Sequence, residues 1–194
     1  MTDSEEIKYW HDFIDGDLNS LSVLFMQYSR SLISYGMKIC RDEELVKDSI
    51  QEVFILLIQK RQKLNQDLKI RGLIFRLLRN KMIDEIKLSN RRKNQDPLKF
   101  NDGIIFESDS EHNYIGAEEE MNRDNLLSRA LDQLSTHQKE VMFLKYSNSL
   151  SYEEISEVMG ISIASARTLI YRTLKQMKSL LAISQRSEIL RPPR

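Results

Sequence analysis

Apolar residues recur at three- and four-residue spacing along most of this chain and nowhere alternate strictly with polar ones, a pattern that predicts helices. Leu18 to Cys40 is a first long amphipathic segment, with Leu21, Leu24, Phe25, Tyr28, Leu32 and Ile33 on its stripe. Asp42 to Leu64 is a second, with Leu45, Val46, Ile50, Val53, Phe54, Leu57 and Ile58 facing inward. Lys69 to Lys93 is a third, with Leu73, Ile74, Leu77, Leu78, Met82 and Ile86. The periodicity lapses from Asn94 to about Asn122, where Pro97, Gly103 and Gly116 stand among many Asp, Asn, Ser and Glu residues. That composition predicts a flexible acidic linker, although Phe100, Ile104, Ile105 and Phe106 are apolar enough to dock elsewhere. Helical periodicity resumes from about Arg123 to Leu181. The expected fold is all-α: two small helical domains, residues 1–95 and 123–182, joined by a flexible acidic linker at 96–122 and followed by a disordered tail at 183–194.

The clearest local punctuation lies between Leu150 and Thr168. Ser151 can N-cap one helix, and Glu154 three residues on completes a capping box. Gly160 stands where a chain leaving a helix needs positive φ, and Ser162 can cap the next helix. Two capped helices meeting at one glycine form a helix-turn-helix, which lays its second helix in a DNA groove. Ala166, Leu169, Ile170, Leu174, Met177 and Leu181 make that helix's buried stripe. The opposite face presents Ser165, Arg167, Thr168, Tyr171, Arg172 and Lys175, residue types that reach guanine edges and phosphates. Upstream, Ser135 and Gln138 form a further capping box that opens a bracing helix through Val141, Met142 and Leu144.

Charge sharpens the picture by its distribution. Lys+Arg and Asp+Glu both number 29, a net of zero, which suits a nucleic-acid binder poorly. Lys60 to Lys93, however, holds twelve basic residues against Asp67, Asp84 and Glu85, and Asp96 to Leu126 holds nine acids against Lys99 and Arg123. Ala164 to Arg194 carries seven basic residues and one acid, Glu188. Within the basic third segment Arg76, Arg79, Asn80 and Lys87 lie together and are followed by Arg91-Arg92-Lys93, a second candidate nucleic-acid surface. On the second segment Asp48, Gln51 and Glu52 fall at i, i+3 and i+4 and form a compact polar patch, read either as a solvated face or as a docking surface for a basic protein.

Candidate chemistry is otherwise sparse. Cys40 is the single cysteine and reads as a small core hydrophobe, and His11, His112 and His137 lack ligand spacing, so no metal site is expected. No catalytic residues, cofactor or small-molecule substrate are implied. No apolar run reaches membrane length and the N-terminus lacks a signal peptide's pattern, so a cytoplasmic protein without membrane insertion is expected.

These residues also carry a family resemblance. Asp48-Ser49-Ile50-Gln51-Glu52-Val53-Phe54 resembles the D-x-x-Q-E-V-F segment of bacterial RNA polymerase sigma factors of the extracytoplasmic-function group. Leu77-Leu78-Arg79-Asn80-Lys81-Met82-Ile83-Asp84 is similar to their I-A-R-N-x-x-I-D segment, and Leu134 through Arg172 resembles their last domain. The resemblance implies an alternative sigma factor whose Asp48, Gln51 and Glu52 dock on the clamp helices of core RNA polymerase. It implies that Arg76, Arg79, Asn80, Asp84 and Lys87 serve the −10 element of promoter DNA, with a base pocket shaped by the loop at about Gln62 to Gly72. Ser165, Arg167, Thr168, Tyr171, Arg172 and Lys175 would serve the −35 element. An anti-sigma factor is an implied partner. Leu73 stands where the family commonly has tryptophan, Ser135 where it has proline, and Ala166 and Leu169 replace larger or polar residues of the recognition helix.

Two rival readings come from other classes. A stand-alone helix-turn-helix regulator would need a sensing pocket or dimer seam in residues 1–95. An enzyme fused to a DNA reader would need a metal set, phosphate loop or triad, none of which the sequence spells.

Overall fold

The computed structural model describes residues 2–67, 69–92, 106 and 127–189; linker residues other than Phe106 and the tail from 190 lie outside them. The described chain is helical: α1 (Asp3–Asp15), α2 (Leu18–Ile39), α3 (Glu43–Lys60), α4 (Ile70–Arg92), α5 (Thr136–Met142), α6 (Tyr152–Met159) and α7 (Ile163–Ile189). A short 3₁₀ turn at Arg61–Lys63 ends α3, a π-helical turn at Phe143–Ser147 extends α5, and residues 127–132 are also helical.

Local chemistry sets most boundaries. Thr2 caps α1 and Glu5 returns the bond to the Thr2 N–H at 2.8 Å, a capping box in a segment where the periodicity reading had placed no helix. Asp17 caps α2 by accepting from the N–H groups of Asn19 and Ser20 at 2.9 and 3.2 Å, and Asp42 caps α3 through the Leu45 N–H. Ser135 and Gln138 form the box that opens α5, as their spacing predicts. Beyond residue 182 helix α7 continues to Ile189 through a stretch expected to be tail, and the first helix-breaking proline comes only at 192.

In the N-terminal unit α2 packs against α1, α3 and α4. Trp10, Phe13, Leu24, Leu32, Leu57, Ile74, Leu78 and Met82 are fully buried there. The Trp10 indole N–H donates to the Asn65 carbonyl at 3.3 Å, which ties α1 to the α3–α4 loop. In the C-terminal unit α7 packs across α5 and α6 over Val141, Leu144, Ile155, Val158, Ala166 and Ile170. The two units share one continuous core. Helix α4 lies against α6, and an aromatic nest bridges the seam: the Tyr35 ring centroid is 5.4 Å from Phe75, 6.2 Å from Phe106 and 6.4 Å from Phe143. Phe106, one of the apolar linker residues expected to dock, is buried in that nest.

Several expectations about facing are corrected, among them Phe25 of the α2 stripe, which is 38 % exposed with its ring edge-on to Phe54. Ile58 is 45 % exposed rather than inward, because it lies on the last turn of α3, beside Leu18 at the outer edge of α2. Leu174 is exposed because the stripe of α7 runs Ala166, Ile170, Thr173, and Thr173 satisfies its hydroxyl by donating to the Leu169 carbonyl at 2.8 Å. Cys40 is half-buried and packs against the core as a small hydrophobe at its edge, where as the C-cap of α2 it gives its N–H to the Gly36 carbonyl.

Candidate nucleic-acid interface

The helix-turn-helix is built as its punctuation predicts. Ser151 accepts from the Glu154 N–H at 3.1 Å while Glu154 accepts from the Ser151 N–H at 2.7 Å. Gly160 takes φ 65°, ψ 33°, and the Ser156 hydroxyl donates to the Ile161 carbonyl at 2.6 Å, which fixes the turn from a second side. Ser162 accepts from the Ser165 N–H at 3.1 Å and opens α7.

All six residues expected on the recognition face are exposed. Their freedom differs. Ser165 hydrogen-bonds the capping Ser162 hydroxyl at 2.8 Å, and Thr168 donates its hydroxyl back to the Ala164 carbonyl at 2.8 Å, so both are partly occupied within the helix. Arg167 lies over the Tyr152 ring, 5.3 Å from its centroid, and pairs loosely with a Glu153 oxygen at 3.8 Å, two exposed contacts that aim it along the helix face. Tyr171, Arg172 and Lys175 project from the helix, with Tyr171 68 % exposed. Thr168, Tyr171, Arg172 and Lys175 follow i, i+3, i+4 and i+7 and share one side.

The basic surface of α4 divides in two. Asn80, Asp84 and Lys87 are exposed along one side. Arg76 and Arg79 turn instead toward the C-terminal unit. Arg76 Nη1 lies 3.3 Å from Glu157 Oε1, and Arg79 places Nε 2.8 Å and Nη2 3.3 Å from the two oxygens of Glu140. Glu140 is fully buried and also accepts from the Tyr35 hydroxyl at 2.6 Å. Burial, reinforced by the neighbouring Glu140 carboxylate, holds the Tyr35 phenol well above its ordinary value, so it stays a donor. Nearby, Arg71 donates to the Asn148 carbonyl. Arg71 lies in the Gln62 to Gly72 loop that the resemblance marks for the base pocket, whereas nothing in the sequence marks Glu140, Glu157 or Tyr35 as part of a site.

Asp48, Gln51 and Glu52 are exposed on α3, as i, i+3, i+4 spacing requires. Glu52 pairs with Lys81 of α4 at 2.6 Å, and Lys81 also holds Glu85 at 2.8 Å. The patch continues into apolar surface on the same helix: Ile55, one turn from Gln51 and Glu52, is 51 % exposed. Exposed apolar side chains rimmed by polar ones mark protein-binding surface.

Among the described residues no group of three or more His, Cys, Asp or Glu is placed to hold a metal, and no helix is long and apolar enough to cross a membrane.

Two family models match the chain in order: "Sigma-70 region 2" over residues 24–92, and "Sigma-70, region 4" over residues 124–177. The first spans α2 to α4 from residue 24, and the second spans the helix-turn-helix and its bracing helix. The chain belongs to the sigma-70 family, in its extracytoplasmic-function group. Its relatives include the "ECF RNA polymerase sigma factor SigM" of Bacillus subtilis (strain 168), 21 % identical over 161 residues, 83 % of this chain and 94 % of that one. RNA polymerase sigma factor SigZ of the same organism is 28 % identical over 159 residues, 81 % of this chain and 85 % of that one. The fold is also that of RpoE in complex with the anti-sigma factor NepR from Bartonella quintana, with TM-score 0.59 at 18 % identity, covering 86 % of this chain and 99 % of that one. CnrH, solved in complex with the cytosolic domain of CnrY, superposes with TM-score 0.58 at 18 % identity over 92 % of this chain and 98 % of that one. In this family frame the α3 patch, the α4 surface and the α7 face fall in the matched stretches.

Proposed function

We propose that this chain is an alternative sigma factor: a binding and specificity subunit, not itself an enzyme, that brings core RNA polymerase to promoters and helps open them. One observation carries the reading. Each of the two matched stretches bears its own exposed surface of fitting chemistry, a polar–apolar protein-docking patch on α3 and a Tyr/Arg/Lys recognition face on α7. Asp48, Gln51 and Glu52, with Ile55 beside them, dock on core polymerase. Tyr171, Arg172 and Lys175, aided by Arg167, Ser165 and Thr168, read the −35 element by base-edge and phosphate contacts. Arg76, Arg79, Asn80, Asp84 and Lys87 serve the −10 element, where unstacking a base costs a few kcal/mol and a pocket for that base offsets it.

The chain works where core polymerase does, in the cytoplasm. A partner of the anti-sigma kind is proposed on the same footing, since RpoE is seen with such a factor. The rival stand-alone regulator gains nothing from a helical unit whose exposed features are a docking patch and a basic helix. In-vitro transcription with bacterial core polymerase from pooled genomic fragments tests the proposal. Discrete new transcripts that depend on this protein are the expected result; none with core, but tight sequence-specific binding of DNA by the isolated protein, would favour the regulator.

A further inference from the structure

The loop between α3 and α4, marked by the family resemblance for the base pocket, is held by a helix that neither family model covers. The region 2 match begins at residue 24, whereas α1 ends at Asp15. Three contacts run from α1 and the turn after it to the loop. The Trp10 indole N–H donates to the Asn65 carbonyl at 3.3 Å. The Gln66 side-chain amide donates to Asp15 Oδ1 at 3.2 Å. At the start of the loop the Arg61 guanidinium lies against Gly16, where an added Cβ would stand 3.1 Å from Arg61 Nη1. Gly16 also takes φ 126°, so the turn needs glycine on both counts.

The loop has little else to fix it. Gln62, Lys63, Asn65, Gln66, Asp67 and Lys69 are exposed, and Leu64 packs on the core only in part. The one bond within it is local: the Asp67 N–H donates to Asn65 Oδ1 at 2.9 Å, an Asx turn. Asn65 thus shapes the chain ahead of it through its side chain while Trp10 holds its carbonyl. An exposed segment with few apolar contacts opens easily unless something outside it restrains it. Trp10 is a rigid base for that restraint, 1 % exposed and with its ring centroid 5.6 Å from Phe13. Helix α1 is itself fixed at both ends, by the Thr2–Glu5 box and by the Gly16 N–H on the Asp12 and Phe13 carbonyls.

We propose that α1 positions the base pocket, with Trp10 and Asp15 as positioning residues that act through Asn65 and Gln66 on which base is accepted at the −10 element. This rests on the sigma-factor reading. A pocket selects by where its polar groups stand, and a misplacement of about 1 Å can cost a site about a hundred-fold. Helix α1 therefore contributes to selectivity without contacting the base. Core docking through α3 and −35 reading through α7 do not depend on these bonds.

The test uses the full chain with bacterial core polymerase. Trp10→Phe keeps an aromatic ring in the core and removes the N–H, and Asp15→Ala removes the acceptor for Gln66 at an exposed position. Templates are genomic fragments that the wild type transcribes, each carrying single-base changes in the −10 or the −35 element. The double variant should bind core within about two-fold of wild type. It should lose at least about five-fold in discrimination among −10 bases and keep its −35 discrimination. Amide hydrogen exchange should quicken in residues 62–67 and stay unchanged in α2 and α4. Asp15→Asn, which retains an oxygen acceptor, should restore wild-type behaviour at that position. Undiminished −10 discrimination in the double variant overturns the proposal, and so does an equal loss at both elements, which marks a general loss of folded protein. Because Trp10 is buried, Asp15→Ala is also measured alone. It should lose at least about two-fold in −10 discrimination, and no loss there with unchanged loop exchange overturns the proposal. If the wild-type chain gives no core-dependent transcripts, the sigma reading fails and the inference with it.

Discussion

Arg79 on α4 grips Glu140 on α5 through both carboxylate oxygens, and the two residues are not equally placed: the arginine side chain keeps 11 % of its surface and the glutamate 1 %. The asymmetry decides which half of the pair is costlier to lose. In Arg79→Met the carboxylate stays buried with only the Tyr35 hydroxyl to satisfy it, and breaking a buried pair in that way costs about 3–5 kcal/mol. In Glu140→Gln the amide oxygen can still accept from Tyr35, and the arginine has a route to water, so the loss should be clearly smaller. Urea unfolding of both variants checks this, and an equal or reversed order would contradict the assignment of Glu140 as the trapped charge.

The turn of the helix-turn-helix separates backbone cost from packing cost. Gly160 has φ 65° and nothing within 4 Å of the position a Cβ would take. Gly160→Ala should therefore lose about 1–2 kcal/mol through conformation alone, and Gly160→Asn less, since asparagine tolerates the left-handed region. Ser151→Ala should cost about 1 kcal/mol by removing the α6 cap. Thermal melts of the three variants measure the order; a Gly160→Ala protein as stable as wild type would refute the strain argument.

That turn was legible because capping is local: Ser151, Glu154, Gly160 and Ser162 speak to neighbours within five residues. The same grammar stands at Thr2 and Glu5, where it opens a helix that buries Trp10 and Phe13. The seam was not legible. Tyr35 and Glu140 are 105 residues apart and Arg79 and Glu140 are 61 apart, and each looks like an ordinary helical polar position until the fold brings them together. Helical periodicity likewise put Ile58 inside, because a wheel knows its own helix and not where the neighbouring helix ends.

Glu52 offers a surface test with little structural risk. Its pair with Lys81 is exposed on the glutamate side, and Lys81 retains Glu85, so Glu52→Arg should change stability by under about 1 kcal/mol. Ile55→Lys removes apolar contact area from the same patch. Each should weaken core-polymerase binding about ten-fold in a pull-down titration, with circular dichroism unchanged. Undiminished binding by the double variant would remove the patch from the docking surface.

Arg172 and Thr168 form a matched pair on α7. Arg172 is exposed with no partner among the described residues, whereas the Thr168 hydroxyl is already given to the Ala164 carbonyl. A base contact by arginine is worth about 1–3 kcal/mol, so Arg172→Ala should cut selective transcription by roughly 5- to 150-fold. Thr168→Val, which keeps shape and loses a hydroxyl that faces its own helix, should cost far less. Comparing transcript ratios between strong and mutated promoters for both variants decides it, and wild-type selectivity in Arg172→Ala would end its assignment to the −35 element.

Glu157 gives the docked state a pH dependence of definite sign. Burial against α4 raises its carboxyl above the ordinary 4.5, with Glu154 adding to the rise and Arg76 opposing it. A raised value means that the docked state holds the proton more tightly than the open one, in which Glu157 is solvated. Its contribution is fully present below about 4.5 and fades as pH rises through the raised value. Glu6, pushed up chiefly by its own burial, with the Tyr28 hydroxyl and then Arg71 opposing and Glu154 adding to the rise, carries the same sign. Energy transfer between dyes on the two units should therefore increase as pH falls from 7 toward 5. Glu6→Gln with Glu157→Gln should flatten that slope, because neither replacement titrates. An unchanged slope in the double variant would assign the effect to other carboxylates and detach Glu157 from the seam's proton balance.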